Sequence, residues 1–155
     1  MIYLSLGSNL GDRSLYLTQA RAMLSVALKT KLLLSPVIET QPAGQFKSGV
    51  NPFLNQVAAF SNDEVHIGPN RLLHICKMVE KSLGRAVHEA ESGPDGKRIY
   101  QGRNIDIDIL FFDDIIMFTP ELTIPHLALP ERPFFDELIR EVKMEHKPVW
   151  KNTRL

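Results

Sequence analysis

With one cysteine, Cys76, in 155 residues, the chain cannot form an internal disulfide, and a small fold stapled by cystine bridges is excluded. Cys76 falls on the apolar stripe of a helical pattern and reads as a core thiol of a reducing compartment rather than a nucleophile. Excess charge is missing too. Lys plus Arg equals Asp plus Glu at 18 each, so no global basic field recruits nucleic acid or membrane. Any anion site must therefore be a local cluster. No apolar run approaches the roughly 20 residues that span a bilayer. Met1-Ile2-Tyr3-Leu4 has no basic residues of the kind that open a secretory signal. The expectation is a cytoplasmic protein with neither nucleic acid nor membrane as partner. Internal repeats, linkers and low-complexity tracts are absent as well.

What is present is ordinary for a globular protein: 44% hydrophobic and 23% charged residues. The length suits one domain over 1–155. Ile2 to Leu6 reads as a buried strand ended by a turn at Gly7-Ser8-Asn9. Asp12 is the expected N-cap of a helix carrying Leu17, Ala20, Leu24 and Ala27. Leu32 to Glu39 reads as a second strand, with Pro36 marking a bulge or an edge. Thr40 to Pro52, rich in proline and glycine, reads as a functional loop. Phe53 to Phe60 is a third strand. Pro69 opens a helix with Leu72, Cys76, Val79 and Leu83 on one stripe and Gly84 as its C′ residue. A second long polar loop follows over 85–102, with its tip at Ser92–Gly96.

Arg103-Asn104-Ile105-Asp106-Ile107-Asp108-Ile109-Leu110-Phe111-Phe112 alternates with period 2. Asp106 and Asp108 therefore share one strand face, about 6.5–7 Å apart at Cα, and Ile105, Ile107, Ile109 and Phe111 share the other. Two acids side by side on a strand that turns apolar need cationic company. Hard oxygen ligands on a stiff element suit Mg²⁺ carried with phosphates, and Arg103 adds a planar cation for phosphate oxygens. A solvated face of an antiparallel sheet is the competing reading of the same spacing. Asp113-Asp114 reads as a turn whose return is Ile115 to Phe118, and Pro133 to about Lys143 as a helix with Phe135, Leu138, Ile139 and Val142 inward. The order gives an α+β fold: a ferredoxin-like β-α-β-β-α-β antiparallel sheet with helices on one face, plus a C-terminal hairpin and helix. The opposite face is left for the long loops and the C-terminal segment, with a cleft floored by the acid-bearing strand.

Three ordered blocks carry a family likeness: Gly7-Ser8-Asn9-Leu10-Gly11-Asp12, then Arg103 to Leu110, then Ile124-Pro125-His126 with Arg132-Pro133-Phe134. Together they resemble 6-hydroxymethyl-7,8-dihydropterin pyrophosphokinase. The resemblance implies transfer of pyrophosphate from ATP to the pterin's hydroxymethyl oxygen, giving AMP and the pterin diphosphate. It implies Asp106 and Asp108 as ligands of two Mg²⁺ ions and, with Arg103, as the catalytic group. Arg103, His126 and Arg132 would contact ATP phosphates, with Glu80, Arg85 and Ile109 near the nucleotide. Phe53 and Phe134 would sandwich the pterin and Asn55 would read its edge. Thr40, Pro42 and Ala43 would supply backbone contacts, and Tyr100 would close over the ring. A monomer is expected.

Read alone, His126 suits a surface turn, Phe53 and Phe134 suit a core, and Asn55 suits a turn cap; their joint order carries the assignment. The chain departs from the family pattern at Val87, where many members carry a second loop arginine, at Leu127, where many carry tyrosine, and at Phe53, which replaces a common tyrosine. Lys97 or Arg98 is expected to supply the missing cation. The rival readings are a catalytically silent nucleotide-binding module of the same fold and a metal-dependent nuclease, the latter disfavoured by the absent basic stripe.

Overall fold

A computed structural model describes residues 1–42, 51–84, 91–92, 98–99 and 102–145, with the side chains of 91–92, 98–99 and 143–145 left undescribed. β1 (Ile2–Ser8) leads into α1 (Arg13–Leu28), capped by Asp12, whose carboxylate accepts from Leu15 N at 3.0 Å. Lys29 ends α1 in the left-handed region at φ 54°. The expected second strand is split around Pro36 into β2 (Leu33–Leu34) and β3 (Ile38–Thr40), both paired with β4 (Phe53–Phe60). Between the two pieces, Ser35 keeps the edge attached: its N donates to Val57 O and its hydroxyl accepts from Val57 N, both at 2.9 Å.

A short α2 (Asn62–Val65), capped by Ser61, precedes α3 (Pro69–Ser82). The sequence reading missed α2, although Ser61-x-x-Glu64 is a capping-box spacing. Gly84, at φ 80°, is the residue past α3 that the turn requires. Two short strands, β5 (Glu91–Ser92) and β6 (Arg98–Ile99), pair within the second loop. Then come β7 (Asp106–Phe112), a small hairpin of β8 (Met117–Phe118) with β9 (Thr123–Ile124), and α4 (Phe134–Glu145).

The fold is α+β. The main sheet runs β2-β4-β1-β7, all antiparallel, with β3 beside β2 on β4, as the β-α-β-β-α-β order requires. On one face α1 and α3 close a core containing Leu4, Leu6, Leu17, Leu24, Cys76, Ile107 and Phe112. On the other, α4 lays Phe135, Leu138, Ile139 and Val142 against Tyr3, Val57, Ala59 and Leu110. The C-terminal segment thus covers the second face, as expected, but only at one end of the strands.

Three local readings need correction. Gly7 and Ser8 belong to β1, not to a turn: Gly7 pairs with Asn55 on one side and Asp106 on the other. The β1–β7 register slips between Tyr3 and Leu4, so a bulge at Leu110 breaks the alternation. Phe112, not Phe111, therefore joins the isoleucines, while Phe111 meets Tyr3 edge-on at 6.3 Å on the α4 side. Finally, β8 returns against β9 rather than β7; Asp113 still turns the chain, at φ 47°. The polar tail 146–155 lies outside the described residues.

Leu138, 1% exposed at the α4 interface, should cost about 2–5 kcal/mol of unfolding free energy when cut to alanine. Val26→Ala, at a side chain 78% exposed, should stay within about 0.5 kcal/mol. Urea unfolding of both variants checks the contrast.

Candidate active site

The uncovered end of the sheet's second face forms a cavity of about 310 Å³ lined by Ser5, Gly7, Thr40, Gln41, Phe53, Asn55, Arg103, Asp106, Asp108, Glu131, Arg132, Phe134 and Phe135. Strand register explains its floor. Asn55, Gly7 and Asp106 stand abreast on three strands, and Val57, Ser5 and Asp108 stand abreast two residues along. Gly7 leaves the room: a Cβ there would sit 3.3 Å from Asn55 Oδ1 and 3.5 Å from Phe53 Cδ1. A glycine inside a strand signals such a close approach, a clue the turn reading overlooked. Asn55, buried, is oriented by donating Nδ2 to Thr40 Oγ1 at 2.7 Å.

Asp106 and Asp108 are 17% and 26% exposed in their side chains, in the cleft and not on a solvated face. The two acids are compensated unequally. Arg103 Nη1 donates to Asp106 Oδ2 at 2.6 Å, a charge-assisted bond. Asp108 has His126 Nε2 at 3.8 Å. His126 accepts from Ala128 N through Nδ1 at 3.2 Å, which leaves Nε2 facing the acid. Burial, then the neighbouring charge of Asp106, raise the Asp108 carboxyl above its ordinary range; His126 and Lys77 act against this and Glu80 adds to it. Arg103 itself is positioned by Asn9, 1% exposed, which the sequence reading took only as a turn residue. Asn9 Oδ1 accepts from Arg103 N at 2.7 Å, Asn9 N donates to Arg103 O at 3.1 Å, and Asn9 Nδ2 donates to Asn51 O at 3.4 Å. No sequence spacing announces a contact across 94 residues.

Of the expected site residues, the cavity brings together Thr40, Phe53, Asn55, Arg103, Asp106, Asp108, Arg132 and Phe134. His126 lies against Asp108 outside the cavity lining. Glu80 is 1% exposed and accepts from Ile107 N at 2.8 Å; it braces the acid-bearing strand from the α3 side. Ile109, expected near the nucleotide, has its side chain 2% exposed in the helix-side core, so only its backbone is left for a ligand. Pro42 is half-buried and outside the lining. Ala43, Arg85, Val87, Lys97 and Tyr100 lie outside the described residues, as does the side chain of Arg98. Ser5, Gln41, Glu131 and Phe135 were missed, because only register and the turn into α4 bring them in. Cys76 is buried, which with the Glu80 charge pushes its thiol up to about 12, in keeping with a core role.

Among the described residues no group of three or more His, Cys, Asp or Glu side chains could hold a metal ion by itself. Asp106 and Asp108 fit a divalent ion that brings other ligands with it, as Mg²⁺ on phosphate does. The acids divide the site into a ring-lined, amide-bearing cavity and a flank carrying His126.

The chain is similar to known proteins over most of its length. The family model for 7,8-dihydro-6-hydroxymethylpterin-pyrophosphokinase (HPPK) matches residues 3–144. This chain belongs to the HPPK family. It is 40% identical over 135 residues to a Porphyromonas gingivalis protein named 2-amino-4-hydroxy-6-hydroxymethyldihydropteridine pyrophosphokinase, covering 86% of this chain and 84% of that one. The Bacillus subtilis protein of the same name is 34% identical over 148 residues, covering 92% and 80%. The folate synthesis bifunctional protein of Chlamydia caviae is 34% identical over 160 residues, which span 95% of this chain and 32% of that protein. The HPPK match takes in the five strands of the main sheet except Ile2, the acid pair and α4 as far as Met144.

The raised Asp108 carboxyl has a consequence for stability. The native state holds a proton that the unfolded chain releases near pH 4, so stability falls as pH rises from there through the native value. Without divalent ions, Asp108→Asn should be more stable than the parent by about 0.5–2 kcal/mol at pH 7, and the difference should vanish below about pH 4. Urea unfolding of both proteins across that range measures it.

Proposed function

We propose that this chain transfers the β,γ-pyrophosphate of ATP to the hydroxymethyl oxygen of 6-hydroxymethyl-7,8-dihydropterin, releasing AMP and the pterin diphosphate, a step of folate biosynthesis. The observation that carries the reading is the placement of Asp106 and Asp108 at the junction between a cavity fit for a flat heterocycle and a flank fit for phosphates. A pterin has apolar faces and a polar rim, so Phe53 and Phe134 take the faces and Asn55, held by Thr40, takes the amidine-like edge. Arg132 in the cavity lining and His126 beside Asp108 serve the phosphates. Arg103 shields Asp106 in the free protein and turns to phosphate oxygens when the nucleotide enters.

Asp106 and Asp108 would hold two Mg²⁺ ions bound with ATP. When bound, the ions neutralise charge on the transferred phosphates. The side chains' own part is positioning. The ring pocket fixes the hydroxymethyl oxygen in line with the β-phosphorus, and the cations fix the triphosphate, so the new P–O bond forms as the bond from the α-phosphate oxygen breaks. No strong base is needed, because this chemistry is dominated by orientation and charge stabilisation. The reading includes one domain acting as a monomer in the cytoplasm, with no nucleic-acid partner. A reducing compartment suits the free, buried Cys76, and no helix among the described residues is long and apolar enough to cross a membrane.

Asp106→Ala should stay folded and lose Mg²⁺-dependent AMP formation by at least about 10³-fold. A coupled assay of AMP from ATP and the dihydropterin, with circular dichroism as the folding control, tests this. A folded variant at full activity would contradict the metal assignment, and ATP binding by the parent with no AMP would favour the silent module.

A further inference from the structure

β1 is paired on both sides and buried along its whole length. Alternation sends Leu4 and Leu6 into the helix-side core and turns Tyr3, Ser5 and Gly7 to the opposite face. Ser5 is thus a polar side chain in the floor of the cavity, and it is only 6% exposed. A hydroxyl taken out of water without a hydrogen bond costs stability, and alanine would fill the same place without that cost. Among the described residues the Ser5 hydroxyl has no hydrogen-bond partner. Even Asp108, which stands abreast of it on β7, is not bonded to it. A nearly buried donor that lines a cavity and is left unused by the protein calls for a ligand atom.

Register says which atom that is. Through the Gly7–Asn55 pair, Ser5 is the diagonal neighbour of Asn55, about 7–8 Å away at Cα. On its other side it is the direct neighbour of Asp108. Ser5 therefore lies between the amide that takes one edge of the ring and the acids beside which the hydroxymethyl group must sit. With Phe53 and Phe134 on the two faces, the floor meets the rim. The shorter rim of a pterin, from the pyrimidine edge to the carbon bearing the hydroxymethyl group, carries the 4-oxo oxygen and N5, both acceptors. A serine hydroxyl has one proton to give. We propose that Ser5 is a further substrate-binding residue, its hydroxyl donating a hydrogen bond to that acceptor rim of the heterocycle. The inference rests on the pyrophosphokinase reading for the identity of the ligand.

Calorimetric titration with 6-hydroxymethylpterin in the presence of a non-cleavable ATP analogue, steady-state AMP formation and thermal unfolding test it on Ser5→Ala and Ser5→Thr. Ser5→Ala should raise Kd and KM for the pterin about tenfold, with the loss falling on KM rather than kcat and the KM for ATP unchanged. Its thermal stability should stay level or rise, because no protein group loses a partner. Ser5→Thr keeps the hydroxyl and suits a strand, and it should hold pterin affinity to within about threefold of the parent. A purely structural serine would behave the other way round: Ser5→Ala would lower thermal stability and leave the pterin Kd in place, which overturns the inference. Equal losses toward pterin and ATP also overturn it. If the parent makes AMP and Ser5→Ala matches its pterin affinity, only the inference fails. If the parent binds the pterin in a Ser5-dependent way but makes no AMP, the pyrophosphokinase reading fails and the floor contact stands.

Discussion

Two carboxylates on one face of one strand repel each other, and most of the site follows from how that repulsion is contained. Asp106 and Asp108 cannot move apart, because the isoleucines between and beside them are locked in the helix-side core. Nor can they turn to bulk water, since the cleft leaves them about one-sixth and one-quarter exposed. Arg103 relieves one acid; the other is left with His126 at 3.8 Å and a raised carboxyl. Such a site is suited to a ligand that carries divalent ions on its phosphates. The cost of holding the pair is met by the rest of the fold.

The fold supplies that support at three places. The bulge at Leu110 lets one strand serve two layers, sending Phe112 into the helix side while Leu110 packs beneath α4. α4 covers only part of the second face, so the end bearing Ser5, Gly7 and the acids stays open. Gly7 keeps that end deep enough for a ring, and Asn9 ties the approach to β7 to the turn after β1. Glu80 braces the same strand from behind. These contacts are local and stiff, which is what placing reactive groups within a fraction of an ångström requires.

Much of this was readable from residue order because the signals are periodic or chemical. The alternation around Asp106 and Asp108, the cap at Asp12, Pro69 at the start of α3 and the stripe on α4 each follow from a short-range rule. What could not be read depends on long-range register. Gly7 looks like a turn residue until its two neighbouring strands are known. Phe111 and Phe112 trade faces through a bulge that no local pattern marks. Asn9 and Ser5 take their places only through partners far away in the chain. Ile109 was expected near the nucleotide, yet the period-2 rule already sent its side chain to the core.

The central claim is that the acid pair holds divalent ions together with a nucleotide. Counting bound Mn²⁺ by electron paramagnetic resonance, in the presence of a non-cleavable ATP analogue, addresses it directly. The account predicts two ions per chain that require the analogue, with binding lost in Asp106→Ala and in Asp108→Ala. Tight Mn²⁺ binding that survives both substitutions, or analogue binding with no ion at all, would contradict it.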